Sequence, residues 1–152
     1  MRAILSQRRS VSSLSAISNA GTLRFMVLKK AIDVPTLIRF FTRLCRDAGR
    51  KVFVILDNLN VHKARDVRDW VAAHADAIAL FYLPSCSPEL NPDEYLTGDL
   101  KLTVAKRAPA RDRDSLLRTA TSRLRSLQRR SERVSEIFPA SPCAVRGMMS
   151  AI

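Results

Sequence analysis

The sequence predicts an α/β domain in which a mixed sheet is flanked by helices. Three observations carry that expectation. Val52 to Leu56 is an unbroken apolar run of strand length between Arg50-Lys51 and Asp57-Asn58, the mark of a strand buried on both faces. Upstream, two loosely alternating segments flank the turn-forming Asn19-Ala20-Gly21, as in a hairpin. Downstream, segments with helical spacing alternate with strand-like ones, which implies some parallel pairing.

The first strand is expected within Val11 to Ser18, a Ser-rich stretch with weak alternation, and the second within Leu23 to Leu28. Asp33 is placed to cap a helix whose first turn tolerates Pro35. Leu37, Phe40, Phe41, Leu44, Cys45 and Ala48 make its apolar face, and Gly49 ends it. A second helix is expected from about Lys63 to His74, with Val67, Trp70 and Val71 turned inward. Ile78 to Leu83 reads as another strand, and a third helix opens near Pro92. The last helix spans about Asp114 to Arg130, with Leu117, Ala120, Leu124 and Leu127 on one stripe and Arg118, Arg125 and Arg129 off it.

One domain suits 152 residues, and 47% apolar content is enough for a core without disulfides. Lys and Arg number 26 against 14 Asp and Glu, a net charge of +12. Such an excess favours a polyanionic partner, because basic groups on phosphates release condensed counterions. Cys45, Cys86 and Cys143 lack zinc-ligand spacing and read as reduced thiols of a cytoplasmic protein, Cys45 in the core. No apolar run is long enough for a membrane span, and the first residues do not form a signal peptide.

Two carboxylates stand out. Asp57 follows the buried strand, and ligands of open α/β sheets bind at that carboxyl edge. An Asp in a strand-to-loop turn has ordinary uses as well. Glu94 follows Asn91 and Pro92 in an arrangement close to a capping box, with Leu90 and Tyr95 as the hydrophobic staple. Helix initiation therefore explains it equally well. Were the two to meet at one edge, they would suit Mg²⁺, which takes one or two carboxylates plus waters and phosphate oxygens.

The strings that contain them resemble a known family. Val-Ile-Leu-Asp-Asn-x-x-x-His, at Val54 to His62, is similar to the second-Asp motif of mariner-superfamily transposases of the bacterial insertion-sequence branch. Leu-Pro-x-x-Ser-Pro-Glu-Leu-Asn-Pro-Asp-Glu, at Leu83 to Glu94, resembles their third-carboxylate motif. The step of 37 positions between Asp57 and Glu94 suits that family, as does Trp70 between them. The resemblance covers about residues 8 to 145. It implies a ribonuclease-H-like fold and a DDE endonuclease that cleaves and rejoins DNA through two Mg²⁺ or Mn²⁺ ions on three acidic residues. Asp57 would be the second catalytic and metal-binding residue and Glu94 the third. Asn58 and His62 match motif positions and, with Lys101, Arg125, Arg129 and Arg130, are candidate DNA contacts. The partners implied are double-stranded DNA, as transposon ends and target, and further copies of the enzyme, in a bacterial cytoplasm at the nucleoid.

The sequence departs from the family at its first catalytic Asp, which belongs on a strand preceding the hairpin. No Asp or Glu precedes Asp33, which opens a helix and is misplaced for the role. Residues 1–10 are therefore expected to be a non-native or disordered start, 11–145 a partial ribonuclease-H-like catalytic domain, and 146–152 a tail. The first, central strand would be missing, leaving unpaired edges on both neighbours unless Met1 to Arg9 or another chain fills the gap. The expectation is an N-terminally truncated DDE transposase fragment, inactive alone, whose missing half could come from another reading frame. The alternative is a non-enzymatic basic DNA-binding protein: Lys101 to Arg133 holds eleven basic and three acidic residues. An RNA-binding role is less well supported, with only nine aromatics and no ribonucleoprotein motif.

Overall fold

A computed structural model describes residues 11–18, 20–56, 63–82, 92–106, 112–136 and 148–151, with backbone alone at 92–95, 97, 104–105 and 148–151. The chain opens with strands β1 (Ser12–Ser18) and β2 (Leu23–Leu28), then helix α1 (Val34–Ala48) and strand β3 (Val52–Leu56). Helix α2 (Arg65–Ala73), strand β4 (Ile78–Tyr82) and helices α3 (Pro92–Lys106), α4 (Arg113–Gln128) and α5 (Ser131–Ser135) follow. Strand β5 (Met148–Ala151) comes last. The architecture is the mixed α/β sheet with flanking helices that the sequence implies.

Local chemistry explains the boundaries. The hairpin turns at Gly21, which has φ 79°, and Thr22 donates its N–H to Ser18 Oγ at 3.1 Å. A side chain at Gly21 would overlap the backbone carbonyl of Ser131, so the turn docks against α5 only because that residue has none. Asp33 caps α1 by accepting from the Thr36 N–H at 3.0 Å. Gly49 ends α1 in the left-handed conformation, its N–H donating to Cys45 O at 3.3 Å.

The five strands lie in the order β2-β1-β5-β3-β4. β1 is antiparallel to β2, with Ser12 opposite Leu28 and Ile17 opposite Leu23. β3 and β4 are parallel, with Leu56 beside Tyr82. Between these pairs lies β5, antiparallel to β1 over Ala16–Ser18 and parallel to β3 over Phe53–Leu56. The sequence implies a gap at this position and a tail at residues 146–152. In the structure Met148–Ala151 form the strand that occupies it. The open edges expected on both sides are thus paired by a segment from far along the same chain.

Each face of the sheet carries its own core. On one, Leu14, Ala16, Val52, Val54, Leu56 and Ile78 pack with Leu37, Phe40, Phe41 and Leu44 of α1 and Val67 of α2. Full burial of each Val, Leu, Ile or Phe side chain contributes roughly 1.5–3 kcal/mol. Trp70 completes this layer, its ring 6.3 Å from Phe41 and 4.2 Å from His74. Cys45 also packs against it, half-buried, its Sγ 3.8 Å from Ala77 O, and desolvation by burial raises the thiol pKa. On the other face Ile17 and Leu23 meet Leu96 of α3, Leu124 and Leu127 of α4 and Val134 of α5.

The second face is covered unevenly. Helices α3 and α4 gather over the hairpin and β5. Phe53 and Phe81 are 40% and 47% exposed, their rings 6.4 Å apart. The reading of Val52–Leu56 as buried on both faces is therefore corrected. Val52, Val54 and Leu56 are buried, whereas Phe53 points to the face that carries α3 and α4, at a part of it that they leave open.

Candidate functional site

The sheet register defines where the candidate carboxylates leave the scaffold. β3 ends at Leu56, the residue before Asp57. Asp57, Asn58 and His62 themselves lie outside the described residues, as does Asn91. Glu94 is the third residue of α3, and its side chain lies outside the description. The backbone around it is anchored, because Leu96 is 1% exposed in the cluster that contains Ile17. Ile17 is in register with Ser150, and Ser150 with Ile55. With strands about 4.8 Å apart, Ile17 and Ile55 are separated by roughly 10 Å across the sheet. The first turns of α3 therefore start beside the level at which β3 ends.

The strand beside β3 has a chemical consequence. Ala151 stands opposite Leu56, and β5 reads Met-Met-Ser-Ala, with no carboxylate. Among the described residues no group of three His, Cys, Asp or Glu side chains is arranged to hold a metal ion. Two carboxylates of the kind the sequence offers at Asp57 and Glu94 would fit one hard divalent cation, with waters completing its shell.

Helix α4 positions the basic side chains. It runs antiparallel to β2: Lys29 pairs with Asp114 at one end, and Gln128 Nε2 donates to Leu23 O at 2.8 Å at the other. Asp112 caps it through the Ser115 N–H at 2.5 Å. Ala120, Leu124 and Leu127 are buried as the periodicity predicts, while Leu117 is only partly so. Arg123 turns toward α3 and donates to both carboxylate oxygens of Asp99, at 2.9 and 2.8 Å. That pairing raises the arginine pKa further and locks the two helices together. Sequence reasoning had no signal for it, since 24 positions separate the partners.

Arg125, Arg129 and Arg130 are exposed and lie together along an open groove of about 550 Å³, with Arg118 beside them. Lys101 is exposed on α3. The structure thus brings the arginine candidates to one surface. No described helix is long and apolar enough to cross a membrane.

A search of curated proteins finds no match for this chain. The family model described as DDE superfamily endonuclease matches residues 4–117, a span that includes Asp57 and Glu94, and the chain accordingly belongs to the DDE superfamily endonucleases.

Proposed function

We propose that this chain is the catalytic part of a DNA transposase of the bacterial insertion-sequence branch of the mariner superfamily, acting at the nucleoid on transposon ends and target DNA. The observation that carries the reading is the family match across both candidate carboxylates, on a scaffold where β3 ends at Leu56 and Leu96 anchors the start of α3 beside it. Asp57 and Glu94 are the residues that would hold Mg²⁺ or Mn²⁺. A bound divalent ion supplies charge compensation at the phosphodiester and activation of the attacking oxygen. Asp57 follows directly on β3, and the arginines of α4 hold the DNA backbone.

These 152 residues by themselves are proposed to be inactive in strand transfer. The sheet position next to β3 is held by Met148–Ala151, which offers no third acidic ligand. A separately encoded chain whose Asp-bearing strand displaces β5, in an assembly of several copies, would complete the set. A second reading, DNA binding without cleavage, draws on the same lack of a carboxylate in β5.

Titration calorimetry with Mn²⁺ decides between them. The wild-type chain is expected to bind the ion, and D57N and E94Q each to abolish binding without changing the far-ultraviolet circular dichroism. Equal metal binding by all three proteins sinks the catalytic reading. Metal-dependent nicking of supercoiled plasmid by the wild-type chain alone, lost in D57N, refutes the proposed inactivity.

A further inference from the structure

We infer that the outer face of α4 is a dedicated duplex-binding surface, a cradle for one run of DNA phosphates. Helical geometry sets the alignment. At about 100° per residue, Arg118, Arg125 and Arg129 fall within roughly 40° of one another around the helix. The buried residues Ala120, Leu124 and Leu127 occupy the opposite side. Thr121 and Ser122 line the same groove of about 550 Å³, and Arg130 closes its end. The lining contains four guanidinium groups and several hydroxyls, and no carboxylate.

Among the described residues several basic side chains elsewhere are paired and others, such as Arg39, Arg43 and Arg50, are not, so the alignment of the row and its carboxylate-free, hydroxyl-bearing lining set this surface apart. Arg24 and Arg46 pair with Asp47, Arg65 with Asp69, Lys29 with Asp114, and Arg123 with Asp99. Arg125, Arg129 and Arg130 form no ion pair among the described residues. Guanidinium groups bind phosphate oxygens in a planar fork, and hydroxyls add single donors, so this lining matches a sugar-phosphate backbone. From Arg118 to Arg129 the helix rises about 16 Å. Duplex DNA presents about one charge per 1.7 Å of axis, so some ten phosphates on the two strands pass along that length. Three arginines in a row can each engage one of them without bending the duplex. The identification of the polyanion as DNA rests on the family reading above; the groove's geometry does not.

The test compares two charge-matched variants of the full chain. R118Q/R125Q/R129Q removes the row on α4. R39Q/R43Q/R50Q removes three exposed arginines on and just after α1, which packs on the other face of the sheet. Binding to a 20-base-pair duplex of arbitrary sequence is followed by fluorescence anisotropy from 50 to 200 mM salt. Each phosphate contact contributes about 0.9 to the logarithmic salt slope, so three contribute about 2.7. Over this fourfold range the wild-type affinity should fall about 40-fold more than that of the α4 variant. The α1 variant should keep the wild-type slope. R118K/R125K/R129K, which preserves charge, should also keep it.

Equal slope losses in the α4 and α1 variants would mean diffuse attraction and would overturn the proposal, as would no loss in the α4 variant. Tighter binding to polyglutamate than to the duplex, abolished by the α4 substitutions, would make the partner an acidic protein and overturn the DNA assignment. D57N and E94Q should leave the slope in place. If they lose metal binding while the α4 variant binds DNA normally, the cradle is wrong and the catalytic reading survives.

Discussion

Deleting Met148 to Ile152 tests the role assigned to β5, and its expected signature is local. β5 is in register with three residues of β1 and four of β3. Four residues offer at most eight ladder groups, worth at about 1 kcal/mol net per bond no more than about 8 kcal/mol. Holding four residues in one backbone conformation costs about 4–8 kcal/mol. The two terms cancel to within a few kcal/mol, so the deletion should leave most of the fold in place. It should instead uncover the facing edges of β1 and β3. Hydrogen exchange by mass spectrometry or NMR reads this directly. In a strand, successive N–H groups point to alternate sides, so only every second amide within Ala16–Ser18 and Phe53–Leu56 should lose protection. Amides of α1 should keep theirs. Unchanged exchange at both edges would refute the placement of β5. A uniform loss across the chain would refute the cancellation.

Two further outcomes follow from local geometry. Gly21 and Gly49 both have positive φ, yet only Gly21 faces a neighbouring backbone, that of Ser131. Gly49→Ala should cost about 1–2 kcal/mol in urea denaturation, the left-handed strain alone, and Gly21→Ala clearly more. Equal costs would show that the turn does not dock on α5. Asp33 has its pKa held well below the ordinary carboxylate range by its hydrogen bond to Lys30, then by those to Thr36. A depressed folded-state value stabilises the fold above the unfolded pKa, and that stability is lost as pH falls below about 4. Thermal melts of the wild type and Asp33→Asn should therefore converge as pH falls below that value, and a gap that widens in acid would reverse the sign.

Much of the fold was readable because its signals are local. Asp33, Pro35 and Gly49 punctuate α1, and its apolar spacing names the residues that are buried. Asn19-Ala20-Gly21 correctly separates the two strands of the hairpin. Met148–Ala151 escaped because four residues without alternation carry no period to detect, even with Gly147 before them. Their strand state comes from the two edges beside them. Ser131–Ser135 was missed for a related reason, being a little over one helical turn. The continuous apolar run at Val52–Leu56 misled about burial, because hydrophobicity does not say whether a helix arrives to cover Phe53. At the candidate site, the motif strings and the placement of β3 and α3 were legible. A meeting of two carboxylates would be a tertiary relation, and local patterns do not encode one. The arginine row on α4 was visible as Arg118, Arg125 and Arg129 lying off the apolar stripe, although Arg118 was not among the candidate DNA contacts.

The origin of the middle strand bears on how this protein comes off the ribosome. Leu56 and Ala151 are neighbours in the finished sheet but 95 positions apart in the chain. At about 5–20 residues per second, the interval between their synthesis is roughly 5–20 s. Throughout that time the nascent polypeptide holds two half-built layers with a vacant seam between them, and chaperones that shield such seams should govern its yield in the cell. Slowing translation downstream of β4 would lengthen the exposure and lower the soluble fraction, even though every residue is unchanged.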